Sequence, residues 1–249
     1  MPENLFQASA AQTVEELARA CEPSLKGLLK EAATGQGASP LDEEAARGQA
    51  DDLFARTLQE AGVERAPEAI EGFLRQAVLL LDHASHSHMQ GYGHAFQPLL
   101  RPLEEHSLQI LEKRLRPRIP ASQSEQIEYF NPYLGDLPDR QRSLLEKHQR
   151  YLRDNLVFGR AIQRLGTLLF CLDYAQQGGW GVAGVWRDVE KAFSGAEMAC
   201  VYQLLNSVNE FRNTRVAHVE VPLEHSNEAW KAMKEWVRCL VLLCDVATS

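Results

Sequence analysis

Apolar side chains recur at helical spacing along almost the whole chain, and this feature constrains the fold more than any other. From Val14 to Glu31, leucines and a cysteine return every three or four residues, so that they share one helical face. No stretch shows the strict alternation of apolar and polar residues that a half-buried strand requires. The sequence therefore predicts an all-α protein. Further helices are predicted over 41–61, 69–83, 98–115, 139–174 and 185–193, followed by one opened by a capping box of Ser194 and Glu197 and a last one capped by Ser226.

Four prolines between residues 116 and 138 interrupt this pattern and mark the best candidate domain boundary. We therefore predict an acidic helical region over 1–135, with a regulatory or docking role, and a four-helix module over 139–249. The charge is uneven along the chain. Residues 1–100 carry 15 acidic and 7 basic side chains, whereas residues 101–160 carry 9 acidic and 11 basic ones.

The net charge of the chain is −8, and its isoelectric point is near 5.5. This balance excludes a protein that coats nucleic acid by bulk positive charge. It is compatible with a small phosphate site in the less acidic C-terminal part.

The cysteines and the hydropathy of the chain indicate in which cellular compartment the protein is expected. The number of cysteines, five, is odd and no pair has CxxC spacing, which argues against a disulfide framework or a zinc ribbon. The N-terminus has no basic start followed by an apolar run, and no apolar stretch approaches the roughly 20 residues of a membrane span. We therefore expect a cytoplasmic protein without a membrane partner.

The sharpest motif is N-E-F-R-N-T-R-V-A-H, over residues 209–218 near the end of a predicted helix. Arg212 is followed at once by the polar Asn213, and His218 lies six residues after Arg212. This pattern resembles the HEPN family, whose signature is an arginine and a histidine separated by four to six positions, the first of them polar. The resemblance covers residues 140–249 and includes the order of the helices. The commonest family spacing is one residue tighter, which leaves Arg215 as a competitor for the arginine role.

The resemblance implies a HEPN-like helical bundle that cleaves RNA without a metal or other cofactor. Arg212 would bind the phosphate, Asn213 would orient it, and His218 would transfer the proton, a role that suits histidine as a residue type. Because one motif supplies one arginine and one histidine, the family joins two motifs across a dimer interface. The implied protein is a toxin or effector in bacterial defence or stress response, acting as a homodimer or with a HEPN-containing partner.

Arginines form a stripe on the predicted helix over 139–174. At 100° per residue, Arg142, Arg153, Arg160 and Arg164 fall within about 40° of one another. With Arg215, the last three are candidates for RNA contact through phosphates. The alternative is a solvated face, or a face docked on the acidic N-terminal helices.

Two other functions remain open. The same bundle could be a non-catalytic interaction subunit or adaptor in which the motif is structural. Alternatively, four of the eight histidines fall within twelve residues, at His83, His86, His88 and His94, which is compatible with a histidine-rich metal-binding bundle.

Overall fold

The computed structural model describes residues 40–87, 91–217 and 223–248, and this part of the chain contains helices and turns with no strand. The all-α prediction is confirmed, whereas the helix predicted over 14–31 lies outside the described residues. None of the described helices is long and apolar enough to cross a membrane. The helices are α1 (Pro40–Glu60), α2 (Glu68–His86), α3 (Gln97–Leu115), α4 (Gln123–Tyr129), α5 (Asp139–Leu156), α6 (Arg164–Gln176), α7 (Val185–Phe193), α8 (Ala196–Phe211) and α9 (Ser226–Thr248).

The chain divides into two compact units, Met1–Asp52 and Leu53–Ser249. Of the first unit the structure describes residues 40–52, which are helical and belong to α1. The second unit holds helices from both sides of the predicted boundary at residues 135–139.

Helix α3 lies at the centre of the second unit. It contacts α2, α5, α6, α7 and α9. Its inner face carries Leu99, Leu103 and Ile110, each with no exposed surface. A side chain of this kind stabilises the fold by about 1.5–3 kcal/mol when it is fully buried. Residues before and after the proline-rich segment therefore share one core.

Aromatic side chains close one part of this core. Phe96 lies 4.9 Å from Phe211 and 5.5 Å from Trp236, measured between ring centroids. Trp236 is almost fully buried, as expected for a tryptophan on an apolar helical face. These contacts fix the C-terminal end of α8 against α9 and the short 3₁₀ turn Gly93–Phe96.

The single helix predicted over 139–174 is wrong, because the chain breaks between α5 and α6. Gly159 has a φ of 64° and Gln163 a φ of 47°, both in the left-handed region that a right-handed helix excludes. The buried Asn155 holds this connector. Its Nδ2 donates to the carbonyl oxygen of Ile162 at 2.7 Å, and its Oδ1 accepts from the amide of Ile162 at 3.1 Å. The predicted arginine stripe required one continuous helix, so it is interrupted at the same point.

The capping box predicted at Ser194 is also wrong. Helix α8 begins at Ala196 after Gly195, whose φ of 108° suits glycine alone, and Ser194 turns back to the carbonyl oxygen of Lys191. A side-chain N-cap forms instead at α4, where Ser122 Oγ accepts from the amide of Glu125 at 3.3 Å and the Ser122 hydroxyl donates to the Glu125 carboxylate.

The last helix starts within one residue of the predicted position. The amide of Ala229 donates to the carbonyl oxygen of His225 at 3.1 Å, so His225 is the capping residue and Ser226 the first helical one.

Candidate functional site

The motif lies on a π-helical segment, Arg212–Ala217, that continues directly from the end of α8. π-Helical turns are rare in proteins overall, and those that occur often lie at functional sites. Arg212 and Asn213 are both half-buried, and Arg212 Nη1 donates to Asn213 Oδ1 at 3.5 Å. The predicted position of the motif at a helix end is therefore confirmed. His218 lies outside the described residues.

Glu104, on the central helix α3, binds Arg212 and a second element at once. Its Oε1 accepts from Arg212 Nη2 at 3.2 Å, and its Oε2 accepts from the amide of Leu165 at 3.0 Å. The Leu165 amide belongs to the first turn of α6, where the helix dipole favours a negative charge. Both charged side chains are about one quarter exposed, at 29% for Glu104 and 27% for Arg212. Glu104 thus holds Arg212 beside the N-terminus of α6.

The π-helical segment is seated on the 3₁₀ turn and the residue after it. A Cβ at Gly93 would lie 2.7 Å from the carbonyl oxygen of Arg215, so the backbones approach too closely for a side chain there. Gln97 Nε2 donates to the carbonyl oxygen of Val216 at 3.5 Å. Arg215 itself pairs with Glu228, in the first turn of α9, at 3.1 Å. Arg212 and Arg215 therefore hold carboxylates on different helices.

The structure places the other predicted RNA contacts on two helices and the connector between them. Arg160 lies in the α5–α6 connector, 3.7 Å from Asp154, and its guanidinium lies over the Phe158 ring at 5.4 Å. Arg153 is on α5, and its guanidinium lies over the same ring at 5.8 Å, so these two arginines are close together. Arg164 opens α6, one residue before Leu165. The three arginines are therefore not on one continuous helix.

Arg153 lines a cavity of about 550 Å³, here called the α5 pocket. One side comes from the face of α5 that carries Arg142, Glu146, Gln149, Arg150 and Arg153, and the opposite side from residues 130–135. The spacing of four, three, one and three residues puts all five polar side chains on a single helical face. Three arginines against one glutamate make this lining positive.

Next to the pocket, His148 is a buried titratable group that sequence reasoning did not single out. Its ring stacks on Phe170 with centroids 4.0 Å apart. Burial, and secondarily the charge of Lys147, lower its pKa from 6.5 to about 4. His148 is therefore a neutral core residue at neutral pH.

The histidine-rich stretch forms no metal cluster in the part of it that is described. His86 Nδ1 contacts the carbonyl oxygen of Asp82 at 2.9 Å, and His94 Nδ1 contacts that of Gly91 at 3.1 Å. Across residues 40–87, 91–217 and 223–248, no three histidine, cysteine or acidic side chains are grouped to hold a metal ion. His88 lies outside these ranges.

Comparison of the chain with protein-family models, curated proteins and solved structures gives no match. The resemblance to the HEPN family therefore rests on residues 209–218 and on the helices around them.

Proposed function

We propose that the chain is a HEPN-type, metal-independent endoribonuclease whose site contains Arg212, Asn213 and His218. The observation that carries this proposal is the position of Arg212 and Asn213. They are adjacent and half-exposed on a π-helical turn at the end of α8. An arginine fork beside a neutral amide suits a phosphodiester, because it offers several donors without a metal ion.

In this proposal the ribose 2′-hydroxyl attacks the adjacent phosphorus atom, and the bond to the 5′-oxygen of the next nucleotide breaks. The products are a 2′,3′-cyclic phosphate and a free 5′-hydroxyl. His218 accepts the 2′-hydroxyl proton or protonates the leaving 5′-oxygen. The fork of Arg212 stabilises the charge that develops on the phosphate oxygens.

A second copy of the chain, or a HEPN-containing partner, would supply the second histidine. In this proposal one histidine then serves as base and the other as acid, across the interface between the two chains. RNA cleavage of this kind suits a toxin or effector in bacterial defence or stress response.

A second candidate function is a non-catalytic interaction module, and the Glu104–Arg212 ion pair favours it. A carboxylate 3.2 Å from the guanidinium neutralises the charge that a phosphate would otherwise use. In that case Arg212 stabilises the junction of α3, α6 and α8, and the motif has no reactive role.

Cleavage of total RNA in EDTA by the full chain separates the two functions. The nuclease proposal predicts cyclic-phosphate products from the wild type and at least a hundredfold loss of rate in His218→Ala and Arg212→Ala. Arg187→Ala, which changes an exposed arginine outside the motif, serves as the matched control and keeps the wild-type rate. Equal cleavage by the wild type and His218→Ala refutes the nuclease.

The variant Glu104→Gln tests the role of the ion pair. The amide oxygen of glutamine can still accept from Leu165, while the charge on Arg212 is released. A nuclease would keep or increase its activity in this variant. A structural motif would show reduced stability in both Glu104→Gln and Arg212→Ala, without RNA cleavage in any form of the protein.

A further inference from the structure

We propose that the α5 pocket binds a nucleotide through its phosphate, at a site separate from the Arg212 motif. The pocket volume, about 550 Å³, lies within the range of small-molecule sites. Its lining combines three arginines with aromatic and apolar side chains. None of the motif residues that the structure describes lines this pocket, so a ligand here goes beyond the proposed ribonuclease.

Two of the three pocket arginines, Arg150 and Arg153, have no carboxylate partner among the described residues. Arg153 is half-buried, and its Nε is shielded from solvent without a hydrogen-bond partner among the described residues. Neither Arg150 nor Arg153 has an acidic oxygen within 4 Å in the described chain, unlike Arg212 or Arg215. Leaving a shielded donor of a charged group without an acceptor is unfavourable. An external anion in the pocket would supply the missing acceptors.

Arg142 contributes to the pocket and also holds its wall. Its Nη2 donates to the carbonyl oxygens of Gly135 and Leu137, at 3.3 and 3.1 Å, and lies 3.7 Å from an oxygen of Asp139. Its Nε is shielded and without a partner within the described residues. The wall is therefore tied to the same helix that carries the other two arginines.

The wall offers a flat surface for a ring. Tyr133 is 78% exposed, which is unusual for an aromatic side chain on a pocket lining. Its hydroxyl lies over Gly135, at the position that a side chain there would occupy. Exposed aromatic rings stack on nucleobases with little dependence on the base.

These groups together favour a phosphorylated ring compound over a simple carboxylate. Guanidinium forks match the several oxygens of a phosphate, and Glu146 is the single acid among the lining residues. A carboxylate would use one fork and leave the others unsatisfied. A nucleotide phosphate can come from a free mononucleotide or from an RNA strand, and both present the same groups to the pocket.

Titration calorimetry of the full chain with adenosine 5′-monophosphate at low salt tests the proposal. The wild type should bind this probe at least tenfold more tightly than adenosine. Arg153→Gln and Arg150→Gln should each weaken binding at least tenfold, whereas Arg187→Gln, an exposed arginine outside the pocket, should leave it unchanged. Because Arg150 is exposed, its variant keeps the test valid even if Arg153→Gln fails to fold.

A second variant tests the ring surface without replacing an arginine. In Gly135→Ala the added methyl group would displace the Tyr133 hydroxyl, and we expect weaker binding of the monophosphate. The proposal is overturned by the absence of binding to the wild type, by equal binding of adenosine, by unchanged affinity in Arg150→Gln, or by acetate competing as well as phosphate.

A 5′-phosphorylated tetra-adenylate with 2′-O-methyl riboses distinguishes an RNA strand from a free mononucleotide as the ligand. The proposed ribonuclease cannot cleave this probe, so its affinity can be measured. Binding more than tenfold tighter than that of the monophosphate identifies an RNA subsite, and equal binding identifies a free-nucleotide site. Because Arg150 is outside the motif, loss of RNA cleavage in His218→Ala and loss of binding in Arg150→Gln are independent results.

Discussion

Asn155 controls the break between α5 and α6, and replacing it with alanine tests how that break is stabilised. Its side chain is 1% exposed and makes two hydrogen bonds, one to the amide and one to the carbonyl oxygen of Ile162. The asparagine thereby replaces helical hydrogen bonds that the chain loses at the connector. Asn155→Ala removes both contacts without changing the backbone of α5.

The magnitude follows from these two contacts. Each contributes about 1 kcal/mol, and the Ile162 carbonyl oxygen that loses this partner adds about 1 kcal/mol, since Ile162 is half-buried and water reaches it only in part. The Ile162 amide keeps a second acceptor, the carbonyl oxygen of Arg160 at 3.1 Å, and adds little. We therefore expect Asn155→Ala to lower the free energy of unfolding by about 3 kcal/mol.

Urea unfolding of the full chain, followed by circular dichroism, measures this loss. The matched control is Asn131→Ala. It removes a single exposed hydrogen bond to the carbonyl oxygen of Ile127 and should cost less than about 0.5 kcal/mol. Hydrogen exchange at the Ile162 amide should accelerate in Asn155→Ala alone. A loss below 1 kcal/mol, or unchanged exchange at that amide, would refute the reasoning.

Three further predictions concern other buried or strained positions. The pKa of His148 is lower in the folded than in the unfolded chain, so the unfolded chain binds the proton first. The free energy of unfolding should therefore fall by about 2 kcal/mol as the pH drops from 6.5 towards 4. In His148→Gln the urea concentration at the unfolding midpoint should depend less on pH over this range. Gly184→Ala should lower the free energy of unfolding by at least about 2 kcal/mol, because φ is 61° and the new Cβ would lie 2.5 Å from the carbonyl oxygen of Tyr129. At Gly178 φ is 77° but the surrounding space is open, so Gly178→Ala should cost about 1 kcal/mol. Equal losses in the two variants would contradict this. Among the cysteines of the described chain, Cys200 alone is exposed and should react with iodoacetamide in the native state. Mass spectrometry identifies the labelled residues. Early labelling of the buried thiols would be inconsistent with the structure.

Local pattern predicted much of the fold. The helix over 185–193 has the predicted bounds, and α2 and α3 differ from their predicted limits by three residues or fewer. The break after Leu156 could not be predicted in the same way, because apolar residues continue at helical spacing through it. A single glycine there is compatible with a helix, and the contact that stops the helix is made by the side chain of Asn155.

The candidate site shows the same limit. The sequence placed Arg212 and Asn213 at a helix end, as the structure does. Glu104 was missed, because it lies 108 residues before Arg212 and has no local mark that distinguishes it from other glutamates. The α5 pocket was not predicted, since the arginine pattern included Arg142 and Arg153 but assigned them to one face of a longer helix.

The position of α3 determines where the chain can be cut. This helix precedes the proline-rich segment, yet it covers faces of α6 and α9 and supplies Glu104. A fragment limited to residues 139–249 would therefore expose apolar surface and aggregate when it is produced alone. If residues 53–135 are added as a separate polypeptide, the two fragments should assemble non-covalently, because α3 then covers the exposed faces of α6 and α9.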